Sequence, residues 1–478
     1  MSKLKLFVEN FLVYGFGGVI SKIVPLIMVP IITRLMPSTE YFGLTDLSGT
    51  LVSFCSALAI MGMYDAMYRL FFEKDEMQYK VNLCSTTLFF TLFLSLIVAL
   101  LMFFFQNIIS KFVFGNVKYN YLVLISALSV LVGASELIIS APTRMQNKRK
   151  IFLLTNTLSP LVAYIVAIVL LLNRHYIIAL PIGILLSSFI LEIIFMILNG
   201  KWFSIKKINF KLLKQLLVIG VPLLPNFLIY WIFNSSDRIM ISNLLDVGQS
   251  GIYAVGSKLG HLSQLINTAF GGGWLFFAYS TMKEENQVKN NSLIFEYLGV
   301  ISFFSTMVIC IISHFVYEFL FSSDYVSGYI ISPYLFLAPL LQMLFQVAAN
   351  QFMVIKKTWP NMLILLLGAV TNVVLNFILI PKVGIEGAAI ATLFGYVVSD
   401  IVCIIILNKM KLFVISFRFL VICFYMTVFF ILWRLYLLQM PILSSLLLCV
   451  FLIISYLFYR KDINILLNAD IKLKLVLE

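Results

Sequence analysis

Two lysines, Lys22 and Lys258, lie inside long apolar segments of this chain. A charged side chain at the centre of a membrane-spanning helix costs about 2.5–3.5 kcal/mol on insertion scales, so it should face a wet cavity or an ion-pair partner. Lys22 lies near the middle of its segment and is a candidate for binding an anion, with an ion pair between helices as the structural alternative. Lys258 lies about two turns into its segment, where it could line a cavity or extend to the membrane interface.

Three arginines, Arg34, Arg69 and Arg238, lie near the ends of apolar segments. The planar guanidinium group binds phosphate or carboxylate through two parallel hydrogen bonds, which makes these residues further candidates for an anion site. Asp65 precedes Arg69 by four residues and so shares its helical face, and Asp237 adjoins Arg238. Ordinary ion pairs at the membrane interface are the structural alternative for both pairs.

Two acidic residues, Glu192 and Asp400, lie at matching positions in two other apolar segments. Each is roughly 24 Å along its helix at 1.5 Å per residue, which is close to the far end of a membrane span. We interpret them as interfacial residues or, alternatively, as sites that couple transport to H⁺ or Na⁺.

No arrangement of residues typical of an enzyme is evident. The three histidines, His175, His261 and His314, belong to different segments, and none has a second metal ligand at the usual spacing. The chain also has no phosphate-binding glycine loop followed by lysine. We therefore expect a transporter rather than an enzyme, with no cofactor, no catalytic residue and no metal.

The elements that must position these residues are long apolar helices. The chain is 62% hydrophobic and 12% charged, with a mean hydropathy of +1.03. A bilayer core about 30 Å thick requires roughly 20 apolar residues, and backbone groups in lipid must be satisfied within a helix. The sequence predicts an all-α polytopic membrane protein with about 14 transmembrane helices, at residues 11–33, 47–64, 83–105, 119–140, 151–172, 176–198, 215–236, 251–280, 291–313, 329–355, 360–380, 384–407, 414–437 and 441–459.

The loops between these helices differ in charge. One alternating set, which includes both chain ends, contains most of the 34 Lys and Arg residues. Basic loops remain in the cytoplasm, so this asymmetry predicts two cytoplasmic termini and an even number of helices. The net charge of +13 is thereby explained by topology rather than by nucleic-acid binding.

The chain also contains an internal repeat. Residues 173–194 align without a gap with residues 381–402, and this alignment pairs Glu192 with Asp400, while Arg34 corresponds to Arg238. We expect two parallel six-helix repeats related by an axis along the membrane normal. The predicted domains are an N-lobe at 1–200, a basic cytoplasmic linker helix at 201–214, a C-lobe at 215–410, and helices 13 and 14 with a cytoplasmic tail at 411–478.

Three segments resemble a known family. NVVLNFILIPKVGIEGAAIATLFGYVVSD (372–400) is similar to a signature of the multidrug/oligosaccharidyl-lipid/polysaccharide exporter superfamily. PIITRLMPSTEYFGL (30–44) and GMYDAMYRLFFE (62–73) resemble its bacterial polysaccharide flippases, of O-antigen or capsule type. The resemblance implies multidrug-exporter-like lobes around a central cavity, with alternating access.

The resemblance also implies a cargo, a location and partners. The cargo would be an undecaprenyl-pyrophosphate-linked oligosaccharide, moved across the bacterial cytoplasmic (inner) membrane for surface polysaccharide synthesis. Membrane lipid is a further expected partner, nucleic acid is not, and a coupling ion and contact with polysaccharide polymerase machinery stay open.

Two other functions are alternatives to the flippase. A cation-coupled drug or metabolite antiporter would have the same fold, but such antiporters often hold a carboxylate deep in an N-lobe helix, and we expect none at mid-depth in helices 1, 2, 3 and 5. A membrane enzyme such as a glycan polymerase would need a large outer loop, and the outer loops here are short.

Overall fold

The computed structural model describes residues 24–357 and 359–477, and all of its regular elements are helical. Lys22 and most of the first predicted segment lie outside the described residues. The described helices are α1 (Val24–Leu35), α2 (Thr39–Ile60), α3 (Met63–Phe71), α4 (Met77–Phe104), α5 (Gln106–Phe114), α6 (Asn120–Met145), α7 (Arg149–Leu172), α8 (Ala179–Asn199), α9 (Phe210–Gly220), α10 (Leu224–Trp231), α11 (Asp237–Leu244), α12 (Val247–Gly260), α13 (Ser263–Ser280), α14 (Gln287–Leu320), α15 (Ser323–Val326), α16 (Ser332–Val354), α17 (Trp359–Val383), α18 (Ile385–Lys409), α19 (Phe417–Leu432) and α20 (Pro441–Leu477).

The predicted all-α polytopic membrane fold is confirmed, and the count of about 14 helices is approximate. Twelve helical segments of the described chain are long and apolar enough to cross a membrane. Two predicted segments are not among these twelve. The first is described only from Val24, as the shorter α1. The eighth, predicted at 251–280, is divided into α12 and α13 by the turn at His261 and Leu262.

The chain forms two compact units. Unit 1 contains the described residues up to Lys258 together with Leu320–Gly328 and Leu365–Gly395. Unit 2 contains Leu259–Phe319, Tyr329–Ile364 and the residues from Tyr396 onward. These units reflect packing and not internal symmetry, so the two parallel six-helix repeats with boundaries at 200 and 215 stay a prediction.

In unit 1, α6 packs against α2, α4 and α8. The hydroxyl groups of Ser48 on α2 and Ser126 on α6 lie 2.8 Å apart and are both buried. In the predicted linker, two short 3₁₀ turns, Gly200–Trp202 and Ile205–Lys207, precede α9. The N–H groups of Ser204 and Asn209 donate to hydroxyls of α4, so this linker is held against the unit.

Backbone-to-backbone contacts occur near both ends of α2. A Cβ on Gly43 would lie 2.1 Å from the carbonyl oxygen of Val247, and one on Gly251 would lie 2.2 Å from that of Thr39. Just after the other end of α2, Gly62 has φ +69°, and a Cβ there would lie 2.5 Å from the carbonyl oxygen of Gly220. Glycine is required at these positions because any side chain would force the backbones apart.

Unit 2 contains a buried ion-pair network that joins three helices. Glu296 on α14 is 1% exposed and accepts hydrogen bonds from Tyr459 Oη (3.1 Å) and from the N–H of Ser416 (2.8 Å). Arg418 Nε lies 3.3 Å from Glu296, and another guanidinium nitrogen lies 2.6 Å from Asp462. This network attaches α19 and α20 to α14.

Candidate functional site

In unit 1, three helices bring a carboxylate and two cations together. Arg238 Nε on α11 lies 2.5 Å from Asp46 Oδ2 on α2, and Lys258 Nζ on α12 lies 3.8 Å from Asp46 Oδ1. The Arg238 side chain is 8% exposed, that of Asp46 14% and that of Lys258 27%. Two cations therefore share one carboxylate, which leaves a formal charge of +1 on the three groups.

The local sequence explains how each helix reaches this point. Ser38 caps α2 by accepting the N–H of Glu40, and the acidic Glu40 in the first turn suits the positive end of the helix dipole. A π-helical turn at Ile232–Ser236 precedes Arg238, a type of distortion that is frequent at functional sites. The close approach at Gly43 allows α12 to lie against α2, so that Lys258 reaches Asp46.

The cluster lies in the wall of a cavity of about 300 Å³, which we call the cation cavity. The lining combines apolar side chains with hydroxyl and amide groups, and it is contributed entirely by unit 1. Its residues are Val29, Phe42, Thr45, Asp46, Gly49, Thr50, Ser53, Tyr164, Leu180, Ile184, Asn234, Ser235, Arg238 and Lys258.

Further contacts orient both cations. The Arg238 guanidinium donates to the carbonyl oxygen of Asn234 and lies 3.4 Å from Ser257 Oγ. Lys258 Nζ lies 5.9 Å from the centre of the Phe42 ring, within the range of a cation–π contact. The guanidinium is therefore held by its own helix and by α12 as well as by Asp46. Such a site is suited to an anionic group with several oxygen acceptors.

Asp237, the neighbour of Arg238, belongs to a separate polar network. Its carboxylate is 3% exposed and accepts hydrogen bonds from the hydroxyls of Tyr253 and, at 3.2 Å, Thr392. The network continues through Asn372 and Asn376. Both hydroxyls bond Oδ2, whereas Oδ1 is buried without a hydrogen-bond partner among the described residues. The carboxylate does not line the cation cavity.

The other predicted site residues of unit 1 that the structure describes do not line the cation cavity. Arg34 is exposed at the end of α1, and Asp65 and Arg69 are exposed on α3. Partial burial of the Asp65 carboxyl group raises its pKa above the usual range, and the positive charge of Arg144 partly opposes this shift. The acidic residue Glu192 is half-buried and accepts a 2.5 Å hydrogen bond from Ser135.

Asp400 in unit 2 has different surroundings from Glu192, with which it is paired in the sequence repeat. It is 6% exposed, and neither carboxylate oxygen has a hydrogen-bond partner in the described part of the chain. The repeat therefore preserves an acidic residue at both positions but does not preserve its partners.

Asp46 is a candidate site residue that the sequence alone does not identify. The predicted second segment begins at residue 47, which leaves Asp46 in a loop, whereas α2 begins at Thr39. The sequence does contain a signal for the earlier start: Ser38 is a favourable N-cap residue, and the acidic Glu40 follows in the first turn. A correct start would have placed a carboxylate inside a membrane helix.

Residues 31–330 match the family described as polysaccharide biosynthesis protein. This match covers more than half of the chain, and the chain belongs to that family. The predicted resemblance to a polysaccharide family is thus confirmed. Among curated proteins, no sequence matches.

Solved structures show the same fold at low sequence identity. The lipid II flippase MurJ in an inward closed conformation gives a TM-score of 0.70 at 17% identity, covering 96% of this chain and 99% of that chain. An inward-facing multidrug resistance MATE family transporter of the MOP superfamily gives 0.62 at 14%, covering 82% and 94%. A MOP superfamily transporter from Pyrococcus furiosus gives 0.54 at 14%, covering 85% and 95%.

Proposed function

We propose that this protein is a flippase that moves an undecaprenyl-pyrophosphate-linked oligosaccharide repeat unit from the inner to the outer leaflet of the bacterial cytoplasmic membrane. Membership of the polysaccharide biosynthesis protein family supports a role in glycan production, and the MurJ-like fold is compatible with lipid-linked cargo. Both termini lie in the cytoplasm in this proposal, as the loop charges predict. The two six-helix lobes alternate access to the cargo.

The observation that carries the proposal is the sharing of Asp46 by Arg238 and Lys258. An unpaired charge inside a membrane protein is costly, and Asp46 offsets that cost for two cations when no cargo is bound. A pyrophosphate carries enough negative charge to pair with both. The guanidinium fork can bind it through two parallel hydrogen bonds, while the ammonium group acts as a point charge.

The other cationic residues extend this proposal along the transport path. Lys22 contributes to the same pyrophosphate site from helix 1, and Arg34 and Arg69 contact the cargo at opposite ends of that path. The polar oligosaccharide needs a polar path through the protein, whereas the long isoprenoid tail can remain in lipid during transport. Contact with polysaccharide polymerase machinery belongs to the same proposal.

Coupling to H⁺ or Na⁺ would involve the acidic residues. Among Asp65, Glu192, Asp237 and Asp400, the last has the strongest claim to proton uptake. Its buried carboxylate has no hydrogen-bond partner among the described residues, so protonation would remove the cost of an uncompensated charge.

A cation-coupled drug or metabolite antiporter is the second candidate, and the likeness to MATE transporters supports it. Asp46 could in principle attract a cationic drug. It already pairs with two cations, however, so a drug would have to displace at least one of them. The net positive charge of the cluster favours an anionic cargo.

Complementation of a strain that lacks its polysaccharide flippase tests the proposal. Arg238→Gln and Lys258→Gln should each reduce surface polysaccharide at least tenfold, since truncating one partner of a buried charge pair costs about 2–5 kcal/mol. Lys382→Gln changes an exposed lysine on α17 and serves as the matched control. Membrane abundance is measured in parallel. If Arg238→Gln does not accumulate in the membrane, Arg238→Lys, which keeps the positive charge, is tested in its place. Full complementation by Arg238→Gln would contradict the proposed anion site.

A further inference from the structure

A second cavity, of about 540 Å³, lies at the first turn of α2, and we call it the loop cavity. Three connections of unit 1 form its walls: the entry to α2 (38–40), the α5–α6 loop (114–119) and the α11–α12 loop with its flanks (242–248). Its volume falls within the 300–1,000 Å³ range of small-molecule sites and exceeds that of the cation cavity.

The walls of the loop cavity are rich in oxygen acceptors and amide groups. Glu40 Oε1 accepts a 2.6 Å hydrogen bond from Tyr119 Oη, and Asp246 Oδ1 accepts a 2.8 Å bond from the N–H of Gln249. Each carboxylate uses one oxygen in these contacts, so its second oxygen can accept from a ligand. Asn116 Oδ1 accepts from the N–H of Lys118, which leaves its amide N–H₂ group to donate.

Gly248 keeps part of this cavity open. A Cβ at Gly248 would lie 2.9 Å from Thr39 Oγ1 and 3.1 Å from Asp246 Oδ1. Any larger residue would therefore occupy the space between a hydroxyl and a carboxylate that both line the cavity. Glycine at this position keeps a side chain out of the space beside the Thr39 hydroxyl and the Asp246 carboxylate.

The two cavities follow one another along the same helices. On α2, Glu40 lines the loop cavity and Asp46 lines the cation cavity, roughly 9 Å further along the helix at 1.5 Å per residue. On α11, Arg238 lines the cation cavity and Ser242 the loop cavity. The backbone contact of Gly43 with Val247 lies between these levels, so a separation of α2 from α12 would join the cavities.

We propose that the loop cavity binds the carbohydrate part of the cargo while the cation cavity holds its phosphates. This inference rests on the proposed function. The loop cavity is lined by two carboxylates, those of Glu40 and Asp246, and by one cation, Lys118. Its net negative charge disfavours a phosphate. Carboxylate, hydroxyl and amide groups instead match the donors and acceptors of sugar hydroxyls. Because the charge pattern places these connections on the outer side, the site would receive the glycan as it leaves the transport path.

Binding measurements on the full-length protein in lipid nanodiscs test the assignment with two probes. One probe is the oligosaccharide repeat unit, released by mild acid from the surface polysaccharide of the source bacterium and freed of phosphate, and the other is sodium pyrophosphate. Glu40→Gln and Asp246→Asn should each weaken oligosaccharide binding about tenfold and leave pyrophosphate binding within twofold. Gly248→Val should abolish oligosaccharide binding. Gly133→Ala adds a Cβ in open space on α6 and should change neither affinity.

The outcomes separate this inference from the proposed function. If native protein binds pyrophosphate but not the oligosaccharide, or if all three variants keep native oligosaccharide affinity, the loop cavity is not a carbohydrate site. If Arg238→Gln keeps native pyrophosphate affinity, the anion site fails, whatever the oligosaccharide does. Calcium chloride is titrated as a third probe. Calcium binding that is lost in Glu40→Gln, without oligosaccharide binding, would identify a cation site and overturn the carbohydrate assignment.

Discussion

Arg238 Nε lies 2.5 Å from Asp46 Oδ2, although the two residues are nearly two hundred positions apart in the sequence and belong to different halves of the predicted repeat. The contact therefore joins segments of the predicted N-lobe and C-lobe within one compact unit. Lys258 approaches the same carboxylate from α12. Binding of an anion at this point would compete with Asp46 for both cations, and this competition defines the first prediction.

Asp46→Asn should increase the affinity for pyrophosphate by about tenfold. The substitution removes the carboxylate that competes with the anion, and a hydrogen bond to a charged group contributes about 1.5–3 kcal/mol. Export should nevertheless decrease, because a cargo that is bound more tightly is released more slowly. Isothermal titration with sodium pyrophosphate and a polysaccharide export assay measure the two effects. Weaker pyrophosphate binding in Asp46→Asn would show that Asp46 organises the cations rather than competing with cargo.

Lys22→Ala should abolish export while leaving the protein abundant in the membrane. Lys22 lies within a predicted apolar helix, where a retained charge indicates a wet cavity or a partner. Lys22→Arg should keep part of the activity because the positive charge is conserved. Complementation and membrane immunoblots provide both measurements, with Lys382→Gln as a control that changes an exposed lysine. Full complementation by Lys22→Ala at native expression would show that Lys22 is not part of the pyrophosphate site.

Single cysteines at positions 34, 69 and 238 should report alternating access. In a cysteine-free background, a membrane-impermeant maleimide added to intact cells should label position 34 and spare position 69, since the predicted topology places them on opposite sides. Position 238 is 7% exposed and should be labelled slowly. Overexpression of cargo-synthesising enzymes should change the rates at 34 and 69 in opposite directions, because cargo shifts a conformational equilibrium only through different affinities for its states. Equal labelling at all three positions would rule out the proposed path.

Glu296→Ala should lower the thermal stability of the protein strongly. Glu296 is buried and lies 3.3 Å from Arg418, and removing one partner of a buried pair costs about 3–5 kcal/mol. Asp75→Ala is the matched control because its ion pair with Lys80 is exposed and should contribute about 0–1 kcal/mol. Thermal unfolding in detergent is the measurement. Equal shifts in melting temperature for both variants would show that the Glu296 network does not hold unit 2 together.

The membrane class, the approximate helix count and two residues of the cation cluster could be predicted from the sequence. Long apolar segments with few charges must form helices in lipid. Lys258 is conspicuous because it interrupts an apolar segment, and Arg238 because it lies near the end of one. Their meeting at Asp46 could not be predicted, since it depends on the backbone approach of Gly43 to Gly251. The pattern of apolar residues predicts which residues form a helix, but it does not predict which other helices that helix contacts.

The break between α12 and α13 shows a second limit. The segment at 251–280 is mostly apolar, and its hydropathy predicts one continuous span. The turn at His261 and Leu262 interrupts it instead, next to Gly260, where a Cβ would lie 2.7 Å from the Leu335 side chain. Packing in unit 2, which hydropathy does not describe, decides where this helix ends.

The glycine contacts near the two ends of α2 have an evolutionary consequence. They join main-chain atoms, so their geometry is independent of the side chains that line the cation cavity between them. Substitutions at lining positions such as Thr45, Thr50 or Tyr164 can accumulate without altering how α2 meets its neighbours. The wall of the cation cavity can therefore diverge between related sequences while the backbone contacts that position α2 stay the same.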